Sequence, residues 1–206
     1  MTFYALKPRF QDLLRPLVVP LPRIGVTANM VTIVAALGSV LVGAVATWRA
    51  DVRRVFLIIP VWLLARMALN AIDGMLAREF RQKSVLGGYL NEIGDVVSDA
   101  ALYAPFAFVA PFSSSGIGLV IVLSMVAEFA GALGPTMGAS RRYDGPMGKS
   151  DRAVVFGALG LWIGFAPPPA WLGWAVPILA ALLVLTVVNR VRAGIGEAKR
   201  AGSKLP

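Results

Sequence analysis

The sequence predicts an all-α integral membrane protein: six transmembrane helices preceded by an N-terminal amphipathic interfacial helix. Three observations predict it. Hydrophobic residues make up 57% of the 206 and charged residues only 15%. Mean hydropathy is +0.73. The apolar residues gather into six runs, each near the roughly 17–25 residues that cross a bilayer as a helix.

The elements follow in order. Phe3 to Leu17 mixes Phe, Leu, Val and Tyr with Lys7, Arg9 and Arg15, the pattern of an interfacial helix or of a helix capping the bundle. Met1 to Pro22, within the amphipathic and juxtamembrane segment drawn at 1–25, is read as lacking the apolar run of a cleaved signal peptide. Spans are drawn at roughly 29–48, 54–73, 87–110, 116–138, 153–168 and 171–191. Together they give one domain, 1–206, with its bundle over about 26–192 and a basic tail over about 193–206. Pro167, Pro168 and Pro169 separate the last two spans, because consecutive prolines cannot continue a helix. Gly131-x-x-Gly134 and Gly157-x-x-Gly160 allow close helix contact, within the bundle or in a dimer.

Basic residues set the orientation. Lys7, Arg9, Arg15 and Arg23 precede the first span. Arg78, Arg81 and Lys83 lie between the second and third, and Arg141, Arg142, Lys149 and Arg152 between the fourth and fifth. The opposite side has only Arg49, Arg53 and Arg54. Both termini and the loop after the second span are therefore expected in the cytoplasm. This placement also accounts for the net charge of +9 without nucleic-acid binding. Cysteine and histidine are absent, which excludes disulfides, thiolate chemistry and imidazole bases. Any catalysis falls to carboxylates, amides, Arg, Lys, backbone or a hard metal ion.

Polar side chains cost free energy in hydrocarbon, so a regular cluster of them in an apolar segment marks a functional site. Such a cluster runs from Asn70 through Asp73, Gly74, Ala77 and Arg78 to Gly87, Asn91 and Asp95. At 3.6 residues per turn, Asn70, Asp73 and Ala77 share one helix face, as do Asn91, Asp95 and Asp99 on the next. A short turn between these helices brings four oxygen-bearing side chains together, a set that suits Mg²⁺ with water and substrate phosphate completing its shell. Gly74 and Gly87 leave room for close approach, and Arg78 suits a phosphate by charge and geometry.

The pattern resembles that of the CDP-alcohol phosphotransferases, D-x-x-D-G-x-x-A-R, eight residues, G-x-x-x-D-x-x-x-D. Here it reads Asn70-x-x-Asp73-Gly74-x-x-Ala77-Arg78, eight residues, Gly87-x-x-x-Asn91-x-x-x-Asp95. Thr27-Ala28-Asn29-Met30-Val31-Thr32 is similar to the T-P-N-x-V-T segment that opens the first span in many members. The resemblance implies a six-helix fold with an N-terminal amphipathic helix and a homodimer in the cell (plasma or inner) membrane. The implied reaction joins a CDP-linked donor, often CDP-diacylglycerol, to an alcohol and releases CMP, with Mg²⁺ or Mn²⁺ as cofactor. It makes Asn70, Asp73, Asn91 and Asp95 the metal ligands and Asp95 also the general base. Asn29, Thr32, Gly74, Ala77, Arg78, Ser84 and Gly87 fall on the donor side.

Two family aspartates are asparagine here, so the quartet carries two negative charges instead of four. Three outcomes follow: weaker metal binding completed by the donor diphosphate, one tightly held ion, or loss of catalysis. Glu92 and Asp99 are placed to compensate, although Asp99 or Glu128 is equally a partner for the membrane-embedded Arg66. In the dense polar segment Arg141 to Arg152, Arg141, Arg142 and Lys149 either bind the phosphate of an acceptor such as glycerol phosphate or inositol phosphate, or fix topology and touch anionic lipid. Gly145, Pro146 and Gly148 specify a shaped loop there. The alternative to an enzyme is a catalytically silent relative that binds CDP-lipid as a membrane sensor or scaffold. A small transporter leaves the nucleotide-type motif unexplained.

Overall fold

The computed structural model describes the backbone of residues 6–202 and the side chains of residues 10–202. Residues 1–5 and 203–206 of the expected amphipathic segment and tail, and the side chains of Lys7 and Arg9, lie outside the described residues. Among the described residues there are seven α-helices: α1 (Leu6–Val18), α2 (Ala28–Trp48), α3 (Ile58–Glu79), α4 (Val85–Tyr103), α5 (Ser114–Ala132), α6 (Lys149–Phe165) and α7 (Ala175–Gly202).

Local chemistry fixes where several helices begin. An oxygen of the N-cap side chain accepts one of the backbone N–H groups that the first turn leaves unpaired. Thr27 Oγ1 accepts Met30 N at 3.2 Å for α2, Ser84 Oγ accepts Gly87 N at 2.9 Å for α4, and Ser113 Oγ accepts Gly116 N at 3.1 Å for α5. At α6 the first turn reaches back, with the Asp151 carboxylate accepting Gly148 N at 2.9 Å.

Among the described residues four segments are long and apolar enough to cross a membrane: Ala28–Trp48, Arg53–Glu79, Ser114–Ala132 and Ala170–Gly202. The other two expected spans are helices with a polar burden. α4 carries Asn91, Glu92, Asp95 and Asp99 within 19 residues, and α6 has 17 residues that begin with Lys149, Asp151 and Arg152. Boundaries also move. α3 continues to Glu79, beyond the end drawn near 73, so Asn70 to Arg78 ride on one helix. α4 stops at Tyr103 and passes into a 3₁₀ turn, Ala104–Phe108, that contains Pro105. α7 runs on to Gly202, so most of the segment drawn as a tail is helical.

In the bundle α2 packs on α3 and α4, α5 on α7, α6 on α3, and α1 lies over α3. Gly43 permits the α2–α4 approach: a β-carbon there would sit 2.1 Å from the Ala101 carbonyl oxygen. Trp62 Nε1 donates to Ser39 Oγ at 2.9 Å, tying α3 to α2.

The apolar interior divides in two. The larger part gathers Phe56, Ile59, Leu63, Tyr103, Phe106 and Phe156 with residues of α5 and α7, and Tyr103 stacks on Phe156 with ring centroids 3.8 Å apart. The smaller part joins Val18 of α1 to Ala28, Val31, Met75 and Leu76. Along α3, the polar residues Arg66, Asn70 and Asp73 fall between Leu63 of the first and Met75 of the second.

Candidate functional site

The polar layer begins at Asp73, a buried residue on α3. Thr32 on α2 places its hydroxyl 2.9 Å from Asp73 Oδ2 and 3.0 Å from the Ala28 carbonyl, so one proton is shared between two acceptors. The remaining close charges around Asp73 are those of Asp95 and Lys149. Asp95 on α4 receives Arg66 Nη2 at 3.1 Å on its carboxylate and at 3.2 Å on its carbonyl. It also forms an ion pair with Lys149 of α6. Asn70 and Asn91, each one turn before its aspartate, are half-buried. The sequence-predicted quartet thus lies on the two expected helices, with Thr32 and Lys149 brought in from α2 and α6.

At the outer ends of α2 and α4, Asn29, Ser84 and Gly87 meet. A β-carbon on Gly87 would lie 2.7 Å from Asn29 Oδ1 and 3.0 Å from Ser84 Oγ, so the glycine is what lets these polar groups approach. Ser84 is also the cap of α4. Arg78 is exposed, and its guanidinium folds back along α3, with Nη2 2.8 Å from where a Gly74 β-carbon would stand. Ala77 is half-buried beside it. Gln82 closes this end by accepting Ala28 N at 2.7 Å.

Behind Asp95 runs a continuous ionic network. Arg66, 4% exposed, donates Nη1 to Asp99 Oδ1 at 2.6 Å. Asp99 in turn receives Arg152 Nη2 on its other oxygen at 2.8 Å. The same Arg152 nitrogen reaches Glu128 Oε1 at 3.0 Å, and Glu128 is flanked by Arg190 at 3.6 Å and Arg141 at 3.8 Å. Arg141 also pairs with Glu92. Arg66 therefore belongs to Asp99 and Asp95, while Glu128 serves the three arginines of α6, α7 and the loop. Glu92 and Asp99, expected as spare charge for a metal, are both occupied by arginines.

The network joins four carboxylates, Glu92, Asp95, Asp99 and Glu128, to five cations, Arg66, Arg141, Lys149, Arg152 and Arg190. This pairing is what lets so many charges sit inside the bundle, since an uncompensated buried charge costs several kcal/mol, roughly 3–5 when a partner is removed. Sequence reasoning missed Arg152 and Arg190 as interior residues. The signal was present for Arg152: it lies three residues after Lys149, one helical turn, and opens an apolar run.

The basic loop splits in two. Arg141 faces inward to Glu92 and Glu128. Arg142 turns the other way, donating Nε to Asp144 Oδ2 at 2.8 Å and Nη2 to Asp144 Oδ1 at 2.9 Å, with a further ion pair to Glu197 of α7. Arg142 holds the Asp144 carboxyl below its ordinary range. Of the three basic residues expected to meet an acceptor phosphate, Lys149 and Arg141 stand at the polar layer, and Arg142 is committed to protein partners.

Among the described residues no three carboxylates gather to hold a metal ion. The donor set offers carboxylate oxygens from Asp73 and Asp95 and amide oxygens from Asn70 and Asn91. Those are hard oxygen ligands, and the set fits a Mg²⁺-type ion that draws part of its negative shell from a bound phosphate.

The CDP-alcohol phosphatidyltransferase family profile matches residues 25–189. Inner membrane protein YnbA of Escherichia coli (strain K12) is 45% identical over 195 residues, 93% of this chain and 96% of that one. The fold is similar to that of a Mycobacterium tuberculosis phosphatidylinositol phosphate synthase solved with CDP-DAG bound, with a TM-score of 0.68 and 23% identity over 87% of this chain and 92% of that chain.

Proposed function

Because the chain belongs to the CDP-alcohol phosphatidyltransferase family, we propose that it moves a phosphatidyl group from a CDP-linked lipid to an alcohol and releases CMP. The observation that carries this is the meeting of Asp73 with Thr32, and of Asp95 with Lys149, where α2, α3, α4 and α6 converge. Asp95 is the general base that takes the proton of the acceptor hydroxyl. Its bond to Arg66 fixes the carboxylate in place. Asn70, Asp73, Asn91 and Asp95 would hold one or two Mg²⁺ or Mn²⁺ ions, which would supply positive charge to a diphosphate and to its departing oxygen. Asn29, Thr32, Gly74, Ala77, Arg78, Ser84 and Gly87 bind the CDP end of the donor. Arg141 and Lys149 receive the phosphate of a phosphorylated acceptor such as glycerol phosphate or inositol phosphate. Arg142 holds the loop that presents them.

The membrane arrangement belongs to the same reading. The protein sits in the inner membrane as a homodimer, each subunit with six crossings and α1 at the interface. The termini and the polar layer face the cytoplasm, the side marked by the basic residues. The Escherichia coli relative, an inner membrane protein, supports the location, and the donor bound in the mycobacterial synthase supports a CDP-lipid.

The test is direct. Purified protein is incubated with Mg²⁺ or Mn²⁺, CDP-diacylglycerol and a panel of alcohols, and CMP is measured. Release that depends on both metal and alcohol supports transfer, and no release with any acceptor refutes it. A second reading, a silent relative that binds CDP-lipid, is favoured by one observation: Asp95 is already paired with two cations. The variant Asn70→Asp, Asn91→Asp separates them. Gain of CMP release from zero marks a silent natural protein, whereas loss of an existing activity marks a site adapted to amides.

A further inference from the structure

Arg141 and Lys149 bracket a loop that has no regular secondary structure from Ser140 to Met147. Arg141 is tied to Glu92 and Glu128, Arg142 to Asp144 and Ser140, and Arg142 N donates to the Gly131 carbonyl of α5 at 3.1 Å. A further set of restraints comes from α7, at three heights. Thr186 Oγ1 accepts Met147 N at 3.0 Å, and Gly145, at φ 122°, lies so near that a β-carbon would be 2.7 Å from Thr186 Cα. Arg190, 2% exposed, bonds the Ala127 carbonyl and places Nε 3.4 Å from the Asp144 carbonyl. Glu197 accepts Ser140 N at 3.0 Å and Ser140 Oγ at 2.9 Å, and pairs with Arg142.

Positions 186, 190 and 197 fall on one face of a helix with 3.6 residues per turn. That face lies along the loop for about 16 Å, at 1.5 Å per residue. Consecutive residues in non-helical, extended backbone point to opposite sides. Arg142 held on the α7 side therefore turns Arg141 to the Glu92 side, where its pairs are found.

Resting on the phosphorylated-acceptor reading above, we infer that Thr186, Arg190 and Glu197 of α7 are positioning residues for acceptor binding. They touch neither reactant. They fix the distance between Arg141 and Lys149, and so the fit of an acceptor phosphate between the two cations. Phosphate recognition depends on this spacing because a misplacement near 1 Å costs up to about 100-fold in rate.

Glu197 gives the clean test because its side chain is 37% exposed, so its loss leaves the bundle intact. CMP release from CDP-diacylglycerol is measured against glycerol 3-phosphate and inositol phosphate. Glu197→Ala is expected to raise acceptor KM about tenfold while donor KM and kcat at saturating acceptor hold. Glu197→Gln, whose one amide oxygen can still accept Ser140 N, should recover part of the loss. Unchanged acceptor KM overturns the inference, and so does an equal decline for donor and acceptor. Limited trypsin digestion reads the loop without turnover. Cleavage after Arg141 and Arg142 should quicken in Glu197→Ala while CDP binding stays the same. If the wild type releases no CMP with any alcohol, the transfer reading fails by itself; trypsin then decides, with faster cutting upholding the α7 restraint and unchanged cutting overturning it.

Discussion

Replacing Arg152 with methionine tests whether the ionic network holds the bundle together. Arg152 is 1% exposed and bridges Asp99 at 2.8 Å and Glu128 at 3.0 Å through one nitrogen. Methionine fills similar space but leaves both carboxylates short of a partner. Removing one member of a buried ion pair costs about 3–5 kcal/mol, because the remaining charge is left uncompensated. Here Asp99 keeps Arg66 at 2.6 Å, and Glu128 keeps Arg190 at 3.6 Å and Arg141 at 3.8 Å. The loss therefore belongs at the lower end, about 3 kcal/mol. For a chain of this length that is a fall of about 6–12 °C in Tm, read by thermal unfolding of the purified protein in detergent. Adding Glu128→Gln removes one of the stranded charges, so the double variant should lose less than the sum of the two single variants. A loss under about 1 kcal/mol, the value of an exposed ion pair, would refute the reasoning, as would strict additivity of the pair.

Three further perturbations follow from local geometry. Arg81 sits at φ 57° just beyond α3, a left-handed conformation that glycine adopts without strain, so Arg81→Gly should raise stability by about 1 kcal/mol in the same unfolding assay. Gly145→Ala meets both a positive φ and the Thr186 backbone, and should cost about 2 kcal/mol with faster proteolysis of the loop. Because Asp144 titrates below its ordinary 3.8 when folded, it binds fewer protons than in the unfolded chain. The Arg142 clamp should contribute its full stability above that value and lose it as pH falls below, seen as acid-induced loss of amide hydrogen-exchange protection in the loop that Asp144→Asn shows at neutral pH.

The parts of the protein that sequence made legible are those with a local signature. The motif spacing placed Asn70, Asp73, Asn91 and Asp95 on two successive helices, and the prolines at 167–169 marked the break between α6 and α7. Asp99 was one of two residues weighed as the partner of Arg66, and it is one of the two that bind it. Hidden from sequence was everything decided by distant pairing. Arg152 finds Asp99 across 53 residues and Arg190 finds Ala127 across 63, distances over which periodicity says nothing. Arg152, outside the apolar runs, read as a topology marker, and Arg190, near the end of the last run, carried no sign of its partner, so the inward turn of both had no voice. The pairing of Arg142 with Glu197 was hidden in the same way: Arg142 was weighed between an acceptor phosphate and a topology or lipid role, while Glu197 lay in a segment drawn as tail whose helical continuation was not foreseen.

The Arg66–Asp99 contact also bears on how the chain enters a bilayer. Arg66 lies in a segment long and apolar enough to cross alone, yet a lone arginine at mid-helix raises the free energy of insertion by about 2.5–3.5 kcal/mol. Its partners are on the very next helix, joined by the short turn before Ser84. Pairing within the hairpin of α3 and α4 would neutralise that charge if the two helices enter together. Chains released after Ser84 should insert less completely than chains released after Tyr103, and Arg66→Leu should erase that difference.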